Sequence, residues 1–156
     1  MIVILDNIRS EQNVGSIFRT SDAVGVERLI LCGITPLPID KFGRPVSGIV
    51  KSALGAELSV PWTYSDSALR AVNKLKKEGY LIIALEQSSH SVSLKAVKPP
   101  KNGKFAIIIG SETEGVSPKI LSVADKIAEI PMAGKKESLN VAVAFGVAAY
   151  ALSGLV

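Results

Sequence analysis

Short apolar runs rich in β-branched residues recur along this chain, and amphipathic stretches separate them. Ile2–Leu5, Arg28–Cys32, Leu58–Trp62, Tyr80–Leu85, Phe105–Ile109 and Lys126–Ile130 read as strands. Several, such as Ile107-Ile108-Ile109, show no polar alternation, which is the pattern of strands buried on both faces. Val14–Ala23, Ser65–Glu78, Pro118–Ala124 and Ser138–Leu152 read as helices. The second of these opens on a capping Ser and stops at Gly79. Strands alternating with helices predict an α/β fold with a mainly parallel sheet flanked by helices. No repeat, low-complexity tract or linker divides the sequence, so residues 1–156 read as a single domain.

The last helix departs from the amphipathic pattern. It is apolar on almost every side, which predicts a buried helix. It follows the Pro/Gly loop Ile130–Lys136, and its polar start holds Ser138 and Asn140. The free N–H groups and polar side chains of such a helix end are available to a ligand. The apolar run Val141–Val156 is shorter than the roughly 20 residues a membrane span needs, so it reads as core or interface.

Composition narrows the classes. Apolar content of 47% and charged content of 21% are those of an ordinary globular protein. The net charge of +4 is compatible with a nucleic-acid partner without demanding one. A single cysteine, Cys32, excludes an internal disulfide and a multi-cysteine zinc site, and it suits a reducing cytoplasm. No basic, apolar leader opens the chain. Two loops are basic: Ile34–Ser52 carries Lys41, Arg44 and Lys51, and Lys95–Lys104 carries four lysines and no acid. Each reads equally well as a solvated surface and as a contact for phosphates.

Two further segments hold candidate chemistry. Asn13-Val14-Gly15-Ser16-Ile17-Phe18-Arg19 follows the first strand and Arg9; Asn13 is placed to cap a helix, and Gly15 lets another backbone come close. Taken alone it is a capped helix with a surface arginine. Gly110-Ser111-Glu112-Thr113-Glu114-Gly115 directly follows an apolar strand, where α/β folds bind ligands. It lacks the Lys-Ser/Thr of a P-loop, and its two carboxylates would repel a triphosphate but tolerate a positive centre. No Gly-x-Gly-x-x-Gly, no Gly-x-Ser-x-Gly and no metal-ligand spacing occur. His90 reads as a surface loop residue and Cys32 as a small buried hydrophobe.

Three motifs stand in order: Asn13-Val-Gly15-x-x-x-Arg19; Ile109-Gly110-Ser-Glu112-x-x-Gly115-Val-Ser; and Ile130-Pro-Met132-x-Gly134-x-x-x-Ser138-Leu139-Asn140-Val141. Together with Lys51–Ala56 and Leu85-Glu86-Gln87, this ordered set resembles the TrmH/SpoU branch of the SPOUT superfamily of RNA 2′-O-ribose methyltransferases, over nearly the whole chain. The resemblance implies a sheet whose C-terminal part is threaded into a deep trefoil knot, which periodicity would never suggest. It implies S-adenosylmethionine as cofactor, held by Leu85, Glu86, Gly110, Ser111, Gly115, Ile130, Met132, Ser138 and Leu139. It implies a catalytic set of Arg19, Asn13, Glu112, Ser138 and Asn140, a homodimer packed through the last helix, no metal, and an RNA substrate. Relatives often carry an additional RNA-binding domain that this sequence does not show. Recognition is then expected from Arg9, Lys41, Arg44 and Lys51, with transfer RNA favoured over ribosomal RNA because a small domain must read a compact shape. Two other readings stay open: a knotted module that binds RNA or S-adenosylmethionine without transfer, and a SPOUT enzyme that methylates a base nitrogen.

Overall fold

The computed structural model describes residues 1–156. Seven strands form one sheet: β1 (Ile2–Asp6), β2 (Arg28–Cys32), β3 (Trp62–Ser65), β4 (Leu81–Leu85), β5 (Val92–Ser93), β6 (Phe105–Ile109) and β7 (Lys126–Glu129). Their order is β3-β2-β1-β6-β4-β7-β5, and every neighbouring pair is parallel. The central register sets Ile4 beside both Ile30 and Ile108. Because side chains alternate across a strand, the unbroken apolar runs feed two cores. Val3, Leu5, Leu31, Ile83, Ile107 and Ile109 face one, and Ile2, Ile4, Ile30, Ile82 and Ile108 face the other.

Helices cover both faces. On the first lie α1 (Glu11–Ala23), α2 (Ser47–Ala53), α3 (Ala56–Ser59) and α6 (Val141–Ser153), which contribute Val14, Ile17, Phe18, Ile49, Ala53, Ala56, Phe145 and Ala148. On the second lie α4 (Ala68–Lys77) and α5 (Pro118–Leu121), with Ala71, Val72, Leu75 and Ile120. Each fully buried Ile, Leu or Phe contributes about 1.5–3 kcal/mol by leaving water. Since all strands run the same way, their C-terminal ends share one edge of the sheet, and the loops after them gather there.

The α/β class and parallel sheet are as expected. Several boundaries are not. Ala56–Ser59 is a helical turn rather than the start of a strand: the Gly55 N–H donates to Glu57 Oε2 at 3.0 Å, and Leu58 points into solvent. Pro61 breaks the segment, and its carbonyl begins the pairing with β2, so β3 is Trp62–Ser65. The Ser cap of α4 is Ser67, which accepts the Arg70 N–H, and not Ser65. Ile34–Ser52 is not all loop, because Val46, Ile49, Val50 and Ala53 carry the helical spacing of α2 beneath a high Pro/Gly density. The two-residue strand β5 had no signal. Finally, α6 is not buried on every side: Phe145, Ala148, Ala149 and Leu152 enter the core, while Val143, Val147 and Tyr150 stay exposed.

Candidate active site

Three loops at the C-terminal edge enclose a cavity of about 480 Å³. They follow β4 (Leu85–Gln87), β6 (Gly110–Gly115) and β7 (Ile130–Asn140), and the first turn of α6 closes the far side. All nine residues expected to bind the cofactor line it: Leu85, Glu86, Gly110, Ser111, Gly115, Ile130, Met132, Ser138 and Leu139. Glu112 and Asn140, from the expected catalytic set, line it too.

Specific contacts hold the loops together. The Glu86 carboxylate accepts the Gln87 N–H through Oε1 at 2.9 Å and the Val116 N–H through Oε2 at 2.8 Å, so one side chain joins the loops after β4 and β6. Gln87 Nε2 donates to the Glu137 carbonyl at 2.8 Å and so fastens the loop after β7. The glycine loop turns on itself: the Gly115 N–H donates to the Ser111 carbonyl at 2.9 Å, and the Glu114 N–H to Ser111 Oγ at 3.0 Å. Gly115 has a φ of 65°, and a Cβ on Gly110 would collide with the Gly115 backbone. Glycine is required at both positions, one for conformation and one for space.

A second set of bonds runs from this loop to both flanking helices. Glu112 Oε2 accepts the Arg9 N–H at 3.2 Å, and Oε1 accepts from Asn13 Nδ2 at 2.8 Å. Asn13 Oδ1 in turn accepts from Asn140 Nδ2 at 3.1 Å. Asn140 Oδ1 caps α6, accepting the Ala142 N–H at 2.9 Å. Burial works to raise the Glu112 pKa, but the hydrogen bonds from Asn13 and from backbone N–H groups outweigh it and hold the carboxyl below the usual range. The expectation that Asn13 caps α1 fails. Ser10 is the cap, accepting the Asn13 N–H at 3.2 Å, and this frees the Asn13 amide to bridge Glu112 and Asn140.

The wall of the cavity has a definite charge. Glu86, Glu112, Glu114 and Glu129 line it, with no lysine or arginine among its residues. Leu85, Ile109, Ile130, Met132, Leu139 and Val141 supply apolar surface. The volume lies within the range of small-molecule and cofactor sites. An acid-lined, half-apolar pocket with a close backbone turn suits a ligand that combines a flat apolar group with a positive centre.

Arg19 is not part of this cavity. It is exposed on α1 and forms no ion pair. Gly15, in the same motif, meets its expectation: a Cβ there would strike the Ser52 side chain and the Ile49 carbonyl, so the backbone of α1 lies against that of α2. Arg9, Lys41, Arg44 and Lys51 are spread over the surface rather than gathered at the cavity, although the backbone of Arg9 reaches its rim through Glu112. Arg44 is engaged by Asp40, at 2.8 Å. Cys32 is buried, and burial pushes its thiol up to about 12, so it stays protonated and inert.

Comparison with known proteins meets the same fold and one family. A model of the SpoU rRNA Methylase family matches residues 1–150. The chain is 35% identical over 153 residues to the tRNA (guanosine(18)-2′-O)-methyltransferase of Aquifex aeolicus, covering 96% of this chain and 67% of that one. It is 31% identical over 152 residues to an uncharacterized tRNA/rRNA methyltransferase of Archaeoglobus fulgidus, covering 97% of this chain and 63% of that protein. The chain therefore spans about two thirds or less of the length of these curated relatives. The A. aeolicus TrmH/SpoU tRNA modifying enzyme superposes with a TM-score of 0.83 at 33% identity, over 98% of this chain and 73% of that chain. The AdoMet-bound rRNA methyltransferase of Sinorhizobium meliloti superposes at 0.81 with 25% identity, over 96% of this chain and 54% of that one. With motifs two and three lining one cavity, Asn13 of the first motif bonded to its rim, and the match running through almost every residue, the chain belongs to the SpoU rRNA methylase family.

Proposed function

We propose that this protein is an RNA 2′-O-ribose methyltransferase that uses S-adenosylmethionine, with transfer RNA as substrate. The observation that carries the reading is the cavity itself: four carboxylates, no cation and a flanking apolar wall, lined by the second and third motifs and joined at its rim to Asn13 of the first. Relatives named as 2′-O-methyltransferases support the ribose as target, and AdoMet-bound family structures support the cofactor. Transfer RNA is supported by a structure described as giving insights into the 2-OH methylation of C/U34 on tRNA, of which this chain covers 91%, with a TM-score of 0.79 and 27% identity.

When bound, S-adenosylmethionine supplies an electrophilic methyl on a sulfonium. Leu85, Ile130, Met132 and Leu139 would hold its apolar part, the Gly110–Gly115 turn would bring backbone close, and the acidic rim would favour its positive charge. Glu112, Asn13 and Asn140 keep the glycine loop and the start of α6 in one arrangement, which positions the pocket edge where the ribose enters. Ser138 stands at that edge. The 2′-hydroxyl must lose a proton, and a guanidinium is a poor acceptor because it stays protonated in proteins. Arg19 therefore serves as a clamp on the adjacent phosphate and a stabiliser of the developing alkoxide, with the proton passing to phosphate or water.

The active form in this reading is a homodimer. Within one chain Arg19 stands apart from the cavity, and Val143, Val147 and Tyr150 leave one side of α6 uncovered. Pairing two copies through that face would cover it and bring the Arg19 of one copy toward the cavity of the other. The knotted threading of the C-terminal segment belongs to the same proposal, supported by β7 lying between β4 and β5, the two preceding neighbours in sequence on that side of the sheet. Arg9, Lys41 and Lys51 are proposed phosphate contacts, and the cytoplasm is the proposed compartment. No helix is long and apolar enough to cross a membrane.

The test is transfer of tritiated methyl from S-adenosylmethionine to total cellular RNA, followed by digestion to nucleosides. A 2′-O-methylnucleoside is the expected product, and a base-methylated nucleoside would overturn the ribose assignment. Arg19→Ala should abolish transfer while calorimetry shows cofactor binding nearly intact. Full activity in that variant would remove Arg19 from the mechanism.

A further inference from the structure

After β2 the chain forms a tip, residues 39–45, that is built with unusual care for an exposed loop. Thr35 anchors its base: the buried hydroxyl lies 2.7 Å from the Cys32 carbonyl and accepts the Ile8 N–H at 3.2 Å. The Val46 N–H donates to the Pro38 carbonyl at 3.0 Å, and Ile39 pairs with Pro45 in an antiparallel bridge. Asp40 closes the tip. Its Oδ1 accepts the Phe42 N–H at 2.8 Å and the Arg44 N–H at 2.9 Å, while Oδ2 accepts from Arg44 Nε at 2.8 Å.

This framework holds Phe42 outward, 68% exposed. Two cations lie against the ring, with Lys41 Nζ at 5.0 Å and Arg44 Cζ at 4.9 Å from its centroid. Arg44 is held there by Asp40 and has its charge neutralised, so it serves the shape of the tip rather than a phosphate. Lys41 has no ion pair, and its flexible stem is able to swing to an anion. An exposed, rigidly presented aromatic beside a free cation matches the chemistry of an unpaired nucleotide: the base stacks on the ring and the phosphate meets the ammonium. The tip stands on the same edge of the sheet as the cavity. It leaves the C-terminal end of β2, the sheet edge on which the cavity opens, and α2 behind it seats Gly48 against Glu11 at the start of α1.

We propose that Phe42 is a base-stacking residue for an unpaired nucleotide of the RNA substrate, with Lys41 on the neighbouring phosphate. This rests on the methyltransferase reading above and adds a contact outside the three motifs. The experiment measures methyl transfer to total cellular RNA as a function of RNA concentration for the unsubstituted protein and for Phe42→Ala, Phe42→Leu and Phe42→Trp. Stacking on an aromatic is lost in the first two and kept in the third. Phe42→Ala and Phe42→Leu should raise the half-saturating RNA concentration roughly tenfold or more, the effect falling on saturation rather than on maximal rate, and Phe42→Trp should stay near the unsubstituted value. Lys41→Ala should instead flatten the salt dependence of RNA binding by about one unit of slope. No transfer by the unsubstituted protein would overturn the methyltransferase reading and this inference with it. Unchanged saturation in Phe42→Ala, with transfer intact, would overturn the stacking role alone. So would a loss that Trp fails to relieve while S-adenosylmethionine still binds by calorimetry, because the residue would then shape the tip and not meet a base.

Discussion

Asn13 shows how one side chain carries several structural demands. Its amide donates a hydrogen bond to Glu112 and accepts one from Asn140, so it joins the glycine loop to α6 across α1. Glu112 is held below the usual carboxylate range by these bonds against the opposing effect of burial. The linkage follows: a depressed folded pKa gives stability that is present above the unfolded value of about 4.5 and is lost as pH falls through the lower folded value. Asp125, held down by Lys76 and the Ile82 N–H despite burial, adds to the same acid limb. Asn13→Asp replaces a donor with a second carboxylate facing Glu112. It should cost roughly 1 kcal/mol at neutral pH, after screening at this exposed place. Thermal melts at pH 7 and near pH 4 check this. The deficit should shrink at the lower pH, where the carboxylates begin to protonate, and an equal deficit at both would mean that charge is not the cause. The bridging role of Asn13 was hard to read from the sequence. Asn is a good helix cap, and three residues before it Ser10 is another; only the geometry of the turn decides between them. Ile130, Met132 and Leu139 were legible as pocket wall through the motif resemblance alone, since composition does not separate a cofactor wall from core.

At the level of elements, glycines mark where backbones meet. Gly15 lies against α2, and Gly15→Ala should push the two helices apart at a cost of about 1–3 kcal/mol. Chemical denaturation would show it as a lower midpoint with an unchanged slope. Gly110→Ala acts elsewhere. Its methyl would collide with the Gly115 backbone, and the loop after β6 must open to relieve it. Strain of this kind, drawn from the binding site, should weaken S-adenosylmethionine by roughly tenfold or more in calorimetry. A variant that binds normally would show that the loop has room the structure does not reveal. The strands buried on both faces were legible because their apolar runs are continuous. The short helices α2 and α3 were not, because Pro and Gly density hides the spacing of Val46, Ile49 and Ala53, and because Leu58-Ser59-Val60 looks like a strand until Pro61 and the exposure of Leu58 are taken together. Helix α6 misled in the opposite sense. An all-apolar helix reads as fully buried, and the chain alone buries only one side of it.

That uncovered side sets the problem for the whole molecule, because the proposed reaction needs Arg19 at a cavity that its own chain does not bring it to. A two-fold homodimer has an isologous interface, so each copy gives and receives the same contacts. Two variants then separate action within a chain from action between chains. Arg19→Ala removes the clamp and leaves the cavity whole. Gly110→Trp blocks the cavity and leaves Arg19 in place. Each homodimer should be inactive. Co-expression with two different tags and sequential purification yields the mixed dimer, in which the intact cavity sits on the Arg19→Ala chain and the intact Arg19 on its partner. If Arg19 acts between chains, that dimer has one complete site and should show about half the unsubstituted rate. If Arg19 acts within its own chain, neither site is complete and the mixed dimer is as inactive as its parents. Val143→Glu combined with Val147→Glu gives the second arm: like charges set into the apolar face of both copies should yield monomers in sedimentation and, with no partner to supply Arg19, should abolish transfer while each monomer still binds S-adenosylmethionine. Monomers that methylate RNA at the full rate would return the clamp to its own chain and leave the exposed face of α6 without a catalytic role.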